Sequence, residues 1–303
     1  MYAIEVRDLS KTYGSIRAVD GISFHVNKGE IFGFLGPNGA GKTTTIKSIL
    51  GFIHPDSGEI LINGIDINAN GKEAKRGVGY LSERVSFYDN LTAYQNLNFY
   101  ADMKMIPKDD YLRLLEEFDL LNAAKKKVKT FSKGMKQRLG LVNAFMGNPS
   151  LIILDEPSNG LDPRGVALVR KKILQMKEIG TTIFISSHIL SEIQAVCDRV
   201  AIINKGKIVA TDSVEKLGER LRLKPKMIIK LEKPSDEIIK AVESISGVES
   251  VSVHDNKLEV VCESSAKSTV ILTIEERGGK IVDIKIVEPS LEDVFLRYTE
   301  DET

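Results

Sequence analysis

The chain has 303 residues, room for about two domains, and its 42% apolar and 28% charged residues are those of a well-packed globular protein. Its 42 Lys plus Arg balance 42 Asp plus Glu, so no overall charge draws it to nucleic acid. No stretch approaches the ~20 apolar residues of a membrane helix and the first residues show no leader pattern, so the expectation is a cytosolic chain, or one held at a membrane by another chain.

Residues 4–6 and the alternation Ile22, Phe24, Val26 each present one apolar face and predict antiparallel strands. The turn signal "NKGE" precedes "IFGFL" (31–35), a continuous apolar run suited to a buried strand, and a helix is predicted over 42–50. A short strand, "EILING", follows "PDSG" (55–58). From 92 to 147 the pattern is helical, with Thr92 as N-cap and Leu112, Leu115 and Phe118 at three- and four-residue spacing. The basic run "KKKVK" (125–129) inside it is read as a solvated loop. "LIILDEP" (151–157) is a second buried strand, 164–179 a helix, "TTIFISSH" (181–188) a third strand, and 199–209 a hairpin with a Lys-Gly turn. Strands alternating with helices imply a mainly parallel sheet covered on both faces.

Near "RLRLKPKM" the character changes, and residues 220–226 are expected to be a linker between a domain over 1–219 and a second over 227–303. The second reads strand 227–232, helix 235–246, strands 248–254 and 257–262, helix 265–277 and strand 280–287, the split βαβ order of ferredoxin-like α+β domains. An amphipathic piece at 290–299 is expected to pack back on one of the domains. Cys197 and Cys262 lie far apart in apolar surroundings and read as free, buried thiols.

The chemistry-bearing residues begin with "GPNGAGKTT". Gly36 to Thr43 fits G-x-x-x-x-G-K-[ST] between a buried strand and a helix. There the N–H groups of Gly36, Pro37's successors Asn38, Gly39, Ala40 and Gly41, and then Lys42, Thr43 and Thr44 can turn inward on phosphates. Lys42 adds a positive charge on the β- and γ-phosphates, and the Thr43 hydroxyl is suited to Mg²⁺. At the end of the second buried strand, Asp155 is placed to serve a metal and Glu156 to orient or deprotonate an attacking water. His188 ends the third strand, where ligands of open α/β sheets gather, and is placed to sense a γ-phosphate.

With these residues in view, the chain from Tyr2 to about Leu217 resembles the ATP-binding subunit of an ABC transporter. The resemblance implies a P-loop ATPase fold, with a mainly parallel sheet, an antiparallel β subdomain and a helical subdomain over 92–147. Tyr13 in "KTYG" resembles the aromatic residue that stacks on adenine, and "YLSER" (80–84) stands at the Q-loop. "FSKGM" (131–135) stands at the signature, usually L-S-G-G-Q, and "SNGLD" (158–162) resembles the D-loop. The resemblance implies ATP and Mg²⁺ as cofactors, hydrolysis coupled to transport, and an integral membrane permease as partner. It also implies a head-to-tail homodimer or heterodimer in which Ser132 and Gly134 meet the partner's γ-phosphate and Asp162 touches the seam.

Glu83 replaces the Q-loop glutamine and is expected to keep its place near Mg²⁺, while Lys133 and Met135 depart from the signature's glycine and glutamine. "KQR" (136–138) is expected to be a polar helical face opening the next helix. "EPSLEDVFLRYT" and the "SKGMKQRL" form of the signature resemble the branch serving bacterial and archaeal drug, antibiotic, sodium and polysaccharide exporters. Two other classes remain open at this level: a soluble ABC ATPase acting on nucleic acid or the ribosome, and an ATP-dependent dimerisation module.

Overall fold

The computed structural model describes residues 2–213, 215–217, 224–287 and 294–295. The chain divides into two units, residues 1–213 and 214–303.

In the first unit, β1 (Tyr2–Tyr13) and β2 (Ile16–Asn27) form an antiparallel hairpin in which Ile4 faces Val26 and Val6 faces Phe24. These four side chains are buried, so the alternation read from the sequence is the core-facing side of the hairpin. After β3 (Ile31–Leu35) and α1 (Lys42–Ile49), β4 (Ser57–Ile62) pairs with the other edge of β1, and the two-residue β5 (Ile65–Asp66) completes a four-stranded sheet. Two short elements follow that the sequence pattern did not predict, α2 (Ile67–Ala74) and β6 (Val78–Leu81).

Three helices occupy the next segment: α3 (Ala93–Lys104), α4 (Lys108–Glu117) and α5 (Lys133–Phe145). Thr92 does cap α3, in a reciprocal box in which its hydroxyl accepts from the Gln95 N–H and the Gln95 side chain accepts from the Thr92 N–H. The buried stripe of α4 is Tyr111, Leu114, Leu115 and Phe118, and Leu112 is only half-buried at its edge. Lys125, Lys126 and Lys127 are exposed, as a solvated loop requires.

The second sheet collects β7 (Leu151–Asp155), β8 (Thr182–Ser187), β9 (Arg199–Asn204) and β10 (Lys207–Asp212) around β3. Its order is β10-β9-β3-β8-β7-β6, parallel except for the edge strand β10. Every residue of β3, β7 and β8 is buried, because both faces of this sheet are covered. On one face Phe24, Phe32, Phe34 and Phe184 pack ring on ring with centroids 5.4–6.0 Å apart. Between the strands run α6 (Pro163–Glu178) and the short α7 (Leu190–Gln194). In this register Leu35 stands beside Ser187 and Asp155 beside Ser186, which brings three strand ends together.

The second unit runs β11 (Lys226–Leu231), α8 (Asp236–Glu243), β12 (Val248–His254), β13 (Lys257–Cys262), α9 (Lys267–Glu276) and β14 (Ile281–Val287). Its sheet, ordered β12-β13-β11-β14 and antiparallel throughout, is the ferredoxin-like arrangement expected from the sequence. Ile238, Val242, Val270 and Ile274 of the two helices cover Met227, Ile229, Leu258 and Val260 of the sheet. Of the expected linker, residues 220–223 lie outside the described residues, and Lys226 already belongs to β11. The piece at 290–299 also lies outside them, apart from the buried Val294 and from Phe295.

Candidate active site

The phosphate loop leaves β3 at Gly36 and enters α1 at Lys42. Gly41 sits at φ 108°, and a Cβ there would stand 2.4 Å from the Ala18 carbonyl oxygen, so both conformation and space demand glycine. Gly36 and Ala40 are buried under the loop, while Pro37, Asn38 and Gly39 form its exposed rim. Lys42 is 6% exposed and folds back over the loop, its Nζ donating to the carbonyls of Gly36 (2.8 Å) and Pro37 (3.2 Å). The same Nζ lies 3.4 Å from Glu156 Oε1.

Glu156 follows the last residue of β7. Its φ of 52° places a side-chain-bearing residue in the left-handed region, a strained turn of the kind found at functional sites. Its N–H donates to the Ser186 carbonyl oxygen at 3.1 Å, and its Oε2 lies 2.8 Å from His188 Nδ1. One carboxylate thus joins the phosphate-loop lysine to the histidine that follows β8.

Asp155 is fully buried: Oδ1 accepts from the Ser186 hydroxyl at 2.5 Å, and Oδ2 has no partner. Burial pushes its carboxyl above the ordinary value; the Ser186 hydrogen bond and the nearby Thr43 hydroxyl oppose that shift, and the charges of Glu83 and Glu156 add to it. Burial also drives the neighbouring Tyr80 hydroxyl up to about 12, helped by the charges of Asp155 and Glu83.

A magnesium ion fits this donor set. Asp155 offers a buried, unpaired carboxylate oxygen, and Thr43 and Glu83 line the same cleft beside it. All are hard oxygen ligands. Among the described residues no three His, Cys, Asp or Glu side chains converge to hold a metal alone, so the remaining ligands would be phosphate and water.

A cleft of about 360 Å³ is lined by Asn38, Gly39, Gly41, Lys42, Thr43 and Thr44 together with Glu83, Glu156 and His188. The structure therefore brings together most of the residues singled out from the sequence. Ala18 and Asn159, which the sequence reading passed over, also line it. Tyr13 does not; it lies at the end of β1, 46% exposed, with Lys11 Nζ 5.7 Å from its ring centroid.

Three more residues lie outside this chain's cleft. Ser132 is the N-cap of α5, its hydroxyl accepting from the Met135 N–H at 3.2 Å. Gly134 packs against the D-loop so closely that a Cβ would stand 2.9 Å from the Gly160 carbonyl oxygen. Asp162 caps α6 by accepting from the Gly165 N–H at 2.8 Å.

The reading of "KQR" as a polar helical face needs correction. The helix already begins at Lys133, and Gln137 is 3% exposed, its Nε2 donating to the carbonyls of Glu156 (3.3 Å) and Pro157 (3.0 Å). Only Lys136, paired with Asp89, and Arg138, donating to the Phe118 carbonyl, face outward to polar partners. Gln137 shares one helical face with the buried Gly140, Leu141 and Ala144, and a polar residue on that stripe was the available signal. Cys197 and Cys262 are free thiols; Cys262 is buried as expected but Cys197 is only half-buried, and desolvation raises both above the ordinary thiol range.

Comparison with known proteins agrees with this geometry. The ABC transporter family model matches residues 19–159, and the model of the C-terminal domain of DrrA1-3-like ATP-binding proteins matches 220–299. The chain is similar to the bacitracin transport ATP-binding protein BcrA of Bacillus licheniformis, with 40% identity over 297 residues that cover 97% of this chain and 96% of that one. It is also similar to the linearmycin resistance ATP-binding protein LnrL of Bacillus subtilis (strain 168), with 33% identity across 98% of each. A solved structure described as the ATP binding subunit of an ABC transporter superposes with a TM-score of 0.68 at 33% identity, covering 73% of this chain and 93% of that one. With lysine, acids and histidine gathered at one cleft and this likeness along nearly its whole length, the chain belongs to the ATP-binding subunits of ABC transporters, ATPases that energise a separate membrane-spanning partner.

Proposed function

We propose that this subunit hydrolyses Mg²⁺-bound ATP as one half of a head-to-tail pair, a homodimer or a heterodimer. Bound to a permease at the cytoplasmic face of the cell membrane, it drives export of an antibiotic-like compound. The observation that carries the hydrolytic part is the Glu156 carboxylate held between Lys42 Nζ at 3.4 Å and His188 Nδ1 at 2.8 Å.

The loop from Gly36 to Thr44 binds the phosphates through backbone N–H groups and the start of α1. Lys42 turns from the Gly36 and Pro37 carbonyls to the phosphate oxygens, which releases Glu156 from its ion pair. Glu156 then takes the proton of the attacking water as the water oxygen bonds to the γ-phosphorus and the bond to the ADP oxygen breaks. His188 holds the carboxylate in place and donates toward the γ-phosphate. Thr43, Glu83 and Asp155 would hold Mg²⁺, which would supply neutralisation of phosphate charge. Tyr13, with its exposed ring, would stack on adenine.

Ser132 and Gly134 lie outside this chain's own cleft, which supports a role at a neighbour's; Asp162 would lie at the seam. Among the described residues no helix is long and apolar enough to cross a membrane, so translocation falls to another chain. An exposed aromatic surface supports a partner on the helical segment: Tyr88 and Phe99 meet edge to face and are 55% and 44% exposed. Export and an antibiotic-like cargo rest on the similarity to BcrA and LnrL, named for bacitracin transport and linearmycin resistance.

The test is Glu156→Gln. Turnover should fall by roughly 10²–10⁴-fold, while ATP and Mg²⁺ should now hold a stable dimer in light scattering. Ser132→Ala should weaken that dimer and leave ATP binding to the monomer intact. Wild-type turnover in Glu156→Gln would reject the assigned base, and a monomer under all conditions would reject the pair.

A further inference from the structure

We infer that Gln137 is a positioning residue for Glu156, and that it makes the start of α5 and the segment 156–160 move as one body. The inter-site part of this inference rests on the head-to-tail pair proposed above; the positioning part does not.

Glu156 is the turning point of its segment. Its backbone is in the left-handed region, and its carboxylate is shared between Lys42 and His188, so small shifts of its main chain move the reacting group. On the N–H side it is fixed by the Ser186 carbonyl. On the carbonyl side, the two successive C=O groups of Glu156 and Pro157 both accept from Gln137 Nε2, at 3.3 and 3.0 Å. Gln137 is 3% exposed, so water does not substitute readily for this donor.

Two further contacts bind the same pieces together. Lys133 Nζ donates to Asn159 Oδ1 at 2.7 Å, and Asn159 lines the phosphate cleft. Gly134 approaches Gly160 so closely that any side chain would collide with its carbonyl. Lys133, a departure from the signature's glycine, and Gln137, four residues on, therefore grip the segment 156–160 from one face of α5, Gln137 at the carbonyls of Glu156 and Pro157 and Lys133 at Asn159 in the D-loop.

The consequence concerns communication between sites. Ser132 caps the very helix that carries Gln137. If Ser132 meets phosphate in the neighbour's cleft, a displacement of α5 is passed through Gln137 to the main chain of Glu156 in its own cleft. The state of one ATP site then sets the alignment of the base in the other.

The experiment uses Gln137→Met, which keeps the length of the side chain and removes the donor. Steady-state kcat should fall roughly 10–10²-fold, the loss expected when a reacting group is displaced by about an ångström. KM and equilibrium ATP binding should change less than about twofold. In single-turnover measurements, Gln137→Met should add little to the loss already caused by Glu156→Gln, because both act through one carboxylate. Cooperativity in ATP should fall toward a Hill coefficient of one.

Fully additive losses, or an unchanged kcat with only a lower melting temperature, would overturn the inference. If Gln137→Met does not fold, Lys133→Ala tests the same grip from an exposed position and should reduce cooperativity. Unchanged cooperativity in Lys133→Ala would then overturn the inter-site coupling. A dead Glu156→Gln alongside a fully active Gln137→Met sinks only this inference; an active Glu156→Gln sinks the hydrolytic assignment instead.

Discussion

Replacing Asp155 by asparagine should stabilise the protein in the absence of nucleotide while removing its turnover. The carboxylate is 0% exposed, one of its oxygens has no partner, and the charges of Glu83 and Glu156 repel it. An unpaired buried polar atom costs about 1–3 kcal/mol. Asparagine keeps the oxygen that accepts from Ser186, removes the charge, and sets an amide where the two acidic neighbours repel an oxygen. A net gain of about 1 kcal/mol would raise the melting temperature of a unit of this size by about 2–4 °C.

The sign with pH follows from burial, which raises the folded-state value of Asp155. Folding then favours the protonated acid, so this stabilisation is complete below the unfolded value of about 3.9 and is lost as pH rises through the folded one. Asparagine mimics the neutral acid at every pH. The gap between Asp155→Asn and the natural protein should therefore be smallest below about pH 4 and grow as pH rises through the folded-state value. Thermal melts without nucleotide or divalent ions, at several pH values, measure it. A variant that melts below the natural protein at pH 7.5, or a gap that widens on acidification, would refute the account.

Lys42→Ala should weaken ATP binding roughly 10–10²-fold, the loss of one charge-assisted contact, as read by fluorescence titration with a nucleotide analogue. Binding within a factor of two of the natural protein would mean that the Lys42 charge is not used on phosphate. His188→Ala should lower kcat by roughly 10²-fold with ATP affinity changed less than about threefold, because its contact to Glu156 acts on the reacting group and its proposed donation to the γ-phosphate strengthens as charge develops there. A matching loss of affinity would place His188 in ground-state binding instead.

What was legible in the sequence was what a local chain segment determines by itself. Glycine spacing before Lys42 fixes a loop because backbone N–H groups form it, and the runs ending at Asp155 and His188 are buried strands whatever surrounds them. The ferredoxin-like unit was legible for the same reason: each strand and helix carries its own period. What escaped depends on neighbours. The strand β6 has four residues, one of them glycine, too few to show a period. Leu112 stands beside the buried stripe of α4 because Tyr111 fills the place its spacing suggested. Gln137 was misread because the carbonyls it satisfies lie 19 and 20 residues away, on a strand end that only the packed sheet brings beneath α5.

Lys42 and Glu156 also give the cleft an order of events. Both are buried, and each is the other's ionic partner at 3.4 Å. A buried cation stripped of its partner is costly, so the two hold each other until a competing anion arrives. Phosphate oxygens compete for Lys42 directly, with the start of α1 and the loop N–H groups adding to their side. With Lys42 drawn to phosphate, as proposed, the contacts that now place Glu156 beside His188 at 2.8 Å and fix its main chain through Gln137 and Ser186 would remain, so the carboxylate would lose a cation without losing its place. On the proposed mechanism, the arrival of the phosphate to be transferred would therefore be the event that releases the Glu156 carboxylate to face the water beside it.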